Sequence, residues 1–78
     1  MISRHPALDL AAQVLSLAAR KPHAALALAL AAGELIDQAT RYGRPLSPSE
    51  QERVADLRHW AARVALEATT DLDRRAAA

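Results

Sequence analysis

Seventy-eight residues, a formal net charge of +1 and no cysteine describe one small domain at most. Disulfides and thiolate metal sites are excluded, and the near-neutral balance, with 24% charged residues, lacks the cationic footprint that nucleic acid or an anionic membrane attracts. Ala and Leu dominate, Phe is absent, and Trp60 and Tyr42 are the only aromatics. These are strong helix formers, and the β-branched and aromatic residues that strands prefer are scarce. The expected fold is all-α: a compact three-helix bundle forming a single domain over residues 1–78.

Met1–His5 reads as a short lead, expected to fray. Acidic Asp9 interrupts the first apolar stretch, so no signal peptide is read and the expected compartment is the cytoplasm. Pro6 suits a first helical turn, where its missing N–H costs nothing. A first helix is predicted over residues 6–20. Asp9, Gln13, Ser16 and Arg20 recur at helical spacing as one narrow polar stripe. Leu8, Leu10, Val14, Leu15 and Leu17, with several alanines, fill the remaining circumference. That apolar arc is wider than a one-sided amphipathic helix needs.

Lys21-Pro22 breaks this helix, because Pro disfavours the α region for the residue before it and cannot continue the hydrogen-bond ladder. A turn is favoured there, with a kinked continuous helix as the alternative. A second helix is predicted over 22–42, ended by Gly43 as the residue after its C-cap. Its first half, Ala24–Gly33, carries no charge, yet it is about half the roughly 20 residues of a membrane span. Lys21 and Glu34 flank it and prevent its extension. In the second half Glu34, Asp37, Gln38 and Arg41 face water, with Asp37–Arg41 a favourable i,i+4 pair. Leu28, Ala32, Leu35, Ile36 and Ala39 face inward. Projected on the same wheel, Leu26 and Leu30 fall on the charged side, where a single core does not cover them. Ala25, Ala29 and Gly33 form a small-residue ridge suited to close helix approach.

The strongest local signal is Ser47-Pro48-Ser49-Glu50, which reads as N-cap, first helical residue and capping-box acid. Leu46 and Gln51 occupy the positions of a hydrophobic staple, which is therefore missing. A third helix is predicted over 48–72, antiparallel to the second across a short loop. Val54, Leu57, Ala61, Val64, Ala65, Ala68 and Leu72 form its inward stripe, with Trp60 at the edge and Leu66 alone among polar neighbours. Residues 73–78 are expected to fray.

Little in the chain points to chemistry. His5, His23 and His59 have no partner at metal-ligand spacing. Asp56, His59 and Arg63 can share part of one helix surface, the arrangement of an oriented imidazole base, but no nucleophile accompanies them. The expected protein is not an enzyme, holds no cofactor and has no evident small-molecule substrate. Arg53, Arg58 and Arg63 on the third helix offer a DNA-binding alternative. Against it, Glu50, Glu52, Asp56 and Glu67 are interleaved with them and repel phosphate. The favoured function is a small protein–protein interaction module acting through Leu26, Leu30, Trp60 and Leu66. Its partner is expected to be itself, as a homodimer, or another protein. Bacterial adaptors, secretion-system co-chaperones and inhibitors carried by phages or plasmids fit by size and pattern.

Overall fold

The computed structural model describes residues 5–77. Within them the chain forms α1 (Pro6–Arg20), α2 (Ala25–Arg41) and α3 (Pro48–Ala77), with no strand. All three helices meet in one bundle. α1 packs along α2 most extensively, α3 packs chiefly on α2, and the α1–α3 contact is the slightest. The bundle measures 52 × 18 × 17 Å. Its long axis follows α3, whose 30 residues span about 45 Å at about 1.5 Å per residue.

α1 begins and ends as its sequence predicts. His5 is extended, Pro6 opens the first turn, and the Asp9 N–H donates to the His5 carbonyl at 3.0 Å. The alternative at Lys21 is settled in favour of a turn. Lys21 leaves helical geometry at φ −126°, ψ 74°, and Pro22–Ala24 form a single 3-10 turn before α2 starts. The predicted second helix therefore loses its first three residues to that tighter turn, because the backbone must reverse within Lys21–Ala24 to lay α2 back along α1. At the other end α2 stops at Arg41, one residue early, with Tyr42 extended as C-cap. Gly43 follows at φ +87°, a left-handed conformation that only Gly adopts without strain.

α3 continues to Ala77, five residues beyond the predicted end and through residues expected to fray. Three features favour the extension. The tail is Ala-rich, Arg74 and Arg75 lie at the negative end of the helix dipole, and Arg74 pairs with Asp71 at 3.7 Å. The lead residues 1–4 and Ala78 lie outside the described residues.

The core is narrow. α1 contributes Leu8, Ala11, Leu15 and Ala18, α2 contributes Ala29, Ala32, Ile36 and Ala39, and α3 contributes Val54, Leu57 and Ala61. Six of these are alanine. Small side chains bring the helices close and leave each with little apolar area to remove from water. The inward stripe predicted for α3 is followed through Ala68 and then departs from the core. Leu72 stands half exposed, because it lies near the end of the bundle. At Gly33 a Cβ would meet nothing within 4 Å, so the ridge of Ala25, Ala29 and Gly33 does not bring a neighbouring helix close at that position.

Candidate functional site

The ion pairs fix how the helices face one another. Asp9 of α1 pairs with Arg53 of α3 at 2.6 Å, and Asp37 of α2 pairs with Arg58 of α3 at 3.0 Å. Asp37 thus takes a partner from the neighbouring helix in place of Arg41, as predicted from i,i+4 spacing. The guanidinium of Arg58 reaches across the antiparallel pair to it. These contacts define three outer faces, one between each two helices.

Two of the residues picked out from sequence are the most exposed leucines among the described residues. Leu30 is 62% exposed and Leu66 is 68% exposed. Leu30 lies seven residues before Asp37 and Leu66 eight after Arg58, so an antiparallel pair brings them to nearly the same height. Leu26 behaves differently. It is half buried, in a nook of ≈ 40 Å³ shared with Ala68 and Leu72 of α3. Ala68 and Leu72, both in the predicted inward stripe of α3, thus lie beside this leucine, which the helical wheel placed outside any single core.

The α1–α3 face opens into a groove of ≈ 370 Å³ where the end of α1 parts from α3. Leu15, Ala18, Ala25, Val64 and Ala68 line it together with Trp60, Arg63, Glu67 and Asp71. Trp60 is 37% exposed, with indole surface on both the protein and the water side. The four residues therefore do not form one patch: Leu26 lies in the nook, Trp60 on the groove, and Leu30 and Leu66 are exposed outside both.

The third face, between α1 and α2, was missed as a surface. α3 sits on the far side of both helices, since Asp9 and Ala19 of α1 and Leu26 and Asp37 of α2 all turn toward it. The opposite side presents Leu10 (47% exposed) and Leu17 (38% exposed) from α1, with Val14 between them partly buried against the core. From α2 it presents Ala31, flanked by partly buried Leu28 and by Leu35, which packs against the core. The signal for it in the sequence is the surplus apolar arc of the first helix.

Polar chemistry concentrates at the start of α3. The capping box forms as predicted: the Glu50 N–H donates to Ser47 Oγ at 3.3 Å, and the Ser47 N–H donates to Glu50 Oε1 at 2.9 Å. Two further bonds were not foreseen. Gln51 Nε2 donates to the Leu46 carbonyl at 3.1 Å, a polar tie in place of the missing staple. Arg44 grips Glu50 with both guanidinium nitrogens. The Arg44 guanidinium and then the Ser47 N–H push the Glu50 carboxyl from its ordinary 4.5 down to about 2. This cluster is a helix cap.

Asp56, His59 and Arg63 are all exposed, and among the described residues no hydrogen bond or ion pair joins them. Arg53 and Arg58 are held by carboxylates, and Arg63 lies on the wall of the Trp60 groove. Among the described residues no group of three His, Asp or Glu side chains is placed to hold a metal, and no helix is long and apolar enough to cross a membrane. No family model matches the chain, and no curated protein or solved structure is significantly similar to it.

Proposed function

We propose that this chain is a small cytoplasmic, non-enzymatic interaction module, an adaptor, co-chaperone or inhibitor that presents helical surface to another protein or to a second copy of itself. One observation carries the reading. Among the described residues seven large apolar side chains are exposed (Leu10, Leu17, Leu30, Tyr42, Trp60, Leu66 and Leu72), against five in the core (Leu8, Leu15, Ile36, Val54 and Leu57). Single exposed leucines are ordinary, but an excess of exposed over buried large apolar side chains leaves apolar surface of the kind that marks contact sites. Trp60 on a groove rim adds the residue type most enriched among interface anchors. The DNA alternative is weakened by the carboxylates that hold Arg53 and Arg58.

The test is affinity capture from the native host with the wild-type chain and with Leu30→Glu plus Leu66→Glu. The expected result is a stoichiometric protein partner that the double variant, still helical by circular dichroism, no longer retains. A wild-type chain that sediments as a monomer and retains no protein overturns the reading. So does salt-dependent binding to duplex DNA that disappears with Arg58→Ala plus Arg63→Ala, since phosphate contacts weaken as salt rises.

A further inference from the structure

We infer that α3 pairs antiparallel with α3 of a second copy of this chain, across a two-fold axis at the level of Ala65, each Trp60 entering the groove of the other protomer. The inference rests on the interaction reading above and specifies the surface, its occupant and the register.

The helix period sets the surface. Asp56, Trp60, Arg63, Glu67, Asp71 and Arg74 follow one another at three- and four-residue steps, so they line one side of α3. All six are exposed. The core residues Val54, Leu57 and Ala61 point about a quarter-turn away from them at 3.6 residues per turn. The bundle already uses other charges of the same helix. Arg53 and Arg58 are held by Asp9 and Asp37. Asp56, Arg63 and Glu67 have no ion-pair partner among the described residues.

The order of these charges selects a second copy as the occupant. Asp71 is met within the chain by Arg74 at 3.7 Å. The other charges of the stripe alternate in sign: Asp56, Arg63, Glu67, Arg74. Arg63 and Glu67 stand equally far on either side of Ala65, and so do Asp56 and Arg74. An antiparallel α3 centred at that level therefore sets Arg63 against the partner's Glu67 and Asp56 against the partner's Arg74. A two-fold axis repeats both pairs, since each surface meets its own copy. A parallel helix in register would set like against like at every one of these positions. Exposed ion pairs add little affinity; their part is to choose partner, orientation and register.

Affinity comes from Trp60. It stands 37% exposed on the groove of ≈ 370 Å³ that Leu15, Ala18, Ala25 and Ala68 line with small apolar surface. In this register the partner's Trp60 arrives at the level of Thr70, between Glu67 and Asp71 of the groove wall and beside Ala68. A large ring thus meets small side chains. The groove falls within the roughly 300–1,000 Å³ of sites that enclose a compact apolar group, and Trp is among the side chains most enriched as interface anchors.

Sedimentation equilibrium of the full chain should give about twice the 8.4 kDa protomer mass. Dilution to the protomer should move the emission of Trp60, the only tryptophan, to longer wavelength as the ring meets water. Arg63→Glu and Glu67→Arg should each stay helical yet dimerise at least about tenfold more weakly, since each opposes like charges across the axis. Mixed in equal amounts, the two variants should recover the dimer mass, because each then sets opposite charges against the other. Leu10→Glu, on the side of α1 away from α3, should leave the dimer intact. A wild-type monomer at micromolar concentration overturns the inference. So does a dimer that both single variants retain, a mixture that stays monomeric, or a dimer broken by Leu10→Glu. An emission maximum that stays fixed while the mass halves overturns it without any variant. A monomer that still captures a host protein overturns this inference alone, and a monomer that captures nothing overturns the interaction reading with it.

Discussion

Arg44 and Glu50, six residues apart across the start of α3, meet through two parallel N–H···O bonds of 2.7 Å. The same carboxylate accepts the Ser47 N–H. The loop from Gly43 is thereby tied to the helix it introduces, and the tie depends on a charge that acid removes.

A pH dependence follows. The Glu50 carboxyl ionises at about 2 in the folded chain against an ordinary 4.5, so folding favours the ionised form. Its contribution is fully present above 4.5 and is lost as pH falls toward about 2. Urea unfolding at a series of pH values should show wild type more stable than Glu50→Gln above pH 4.5. The difference should shrink steadily toward pH 2. A constant difference across that window would refute the assignment.

The hydroxyl half of the same cap gives a second expectation. Ser47→Ala removes the acceptor of the Glu50 N–H and should cost about 1 kcal/mol. In a domain this small that lowers the melting temperature by roughly 4–8 °C. Ser47→Asp should retain most of the stability. A Ser47→Ala variant as stable as wild type would mean that the hydroxyl bond contributes nothing.

The two glycines should respond to alanine with opposite signs. Gly43 sits at φ +87°, where a Cβ is strained by about 1–2 kcal/mol, so Gly43→Ala should destabilise. Gly33 lies within α2 with no atom within 4 Å of an added Cβ. Gly33→Ala should therefore stabilise by about 0.5–1 kcal/mol, the helix-propensity difference. Thermal melts of both variants beside wild type decide it.

Truncating leucines should separate core from surface. Leu15 is fully buried, and Leu15→Ala should cost about 2–5 kcal/mol, enough to unfold much of a chain this small at room temperature. Leu66→Ala should stay within about 0.5 kcal/mol of wild type. Chemical denaturation measures both, and a costly Leu66→Ala would show that this residue is covered in solution.

The fold was legible where local rules act alone. Pro6, Lys21-Pro22, Gly43 and the Ser47–Glu50 box mark helix ends by backbone chemistry, and the chain obeys them to within a few residues. What could not be read was set by partners distant in sequence. Asp37 chose Arg58 over Arg41 because α3 lies beside it, and Leu26 found cover because the antiparallel α3 brings Ala68 and Leu72 to it. The candidate surface suffered from the same limit. A wheel drawn for one helix shows how wide its apolar arc is, but only the position of α3 reveals that Leu10 and Leu17 point away from it, beside Leu28 and Leu35.

The reach of α3 past the core has a kinetic consequence. Val54, Leu57 and Ala61 are locked against two other helices, while every residue from Thr69 to Ala77 is exposed. A helical segment of that length without packing is marginal in water. One continuous helix should therefore hold amide hydrogens of very different lifetimes. They should be retained to near the global unfolding limit around Val54–Ala61 and lost through local opening beyond Leu72. The rod that looks uniform along its length is, in exchange time, a gradient running from its base to its tip.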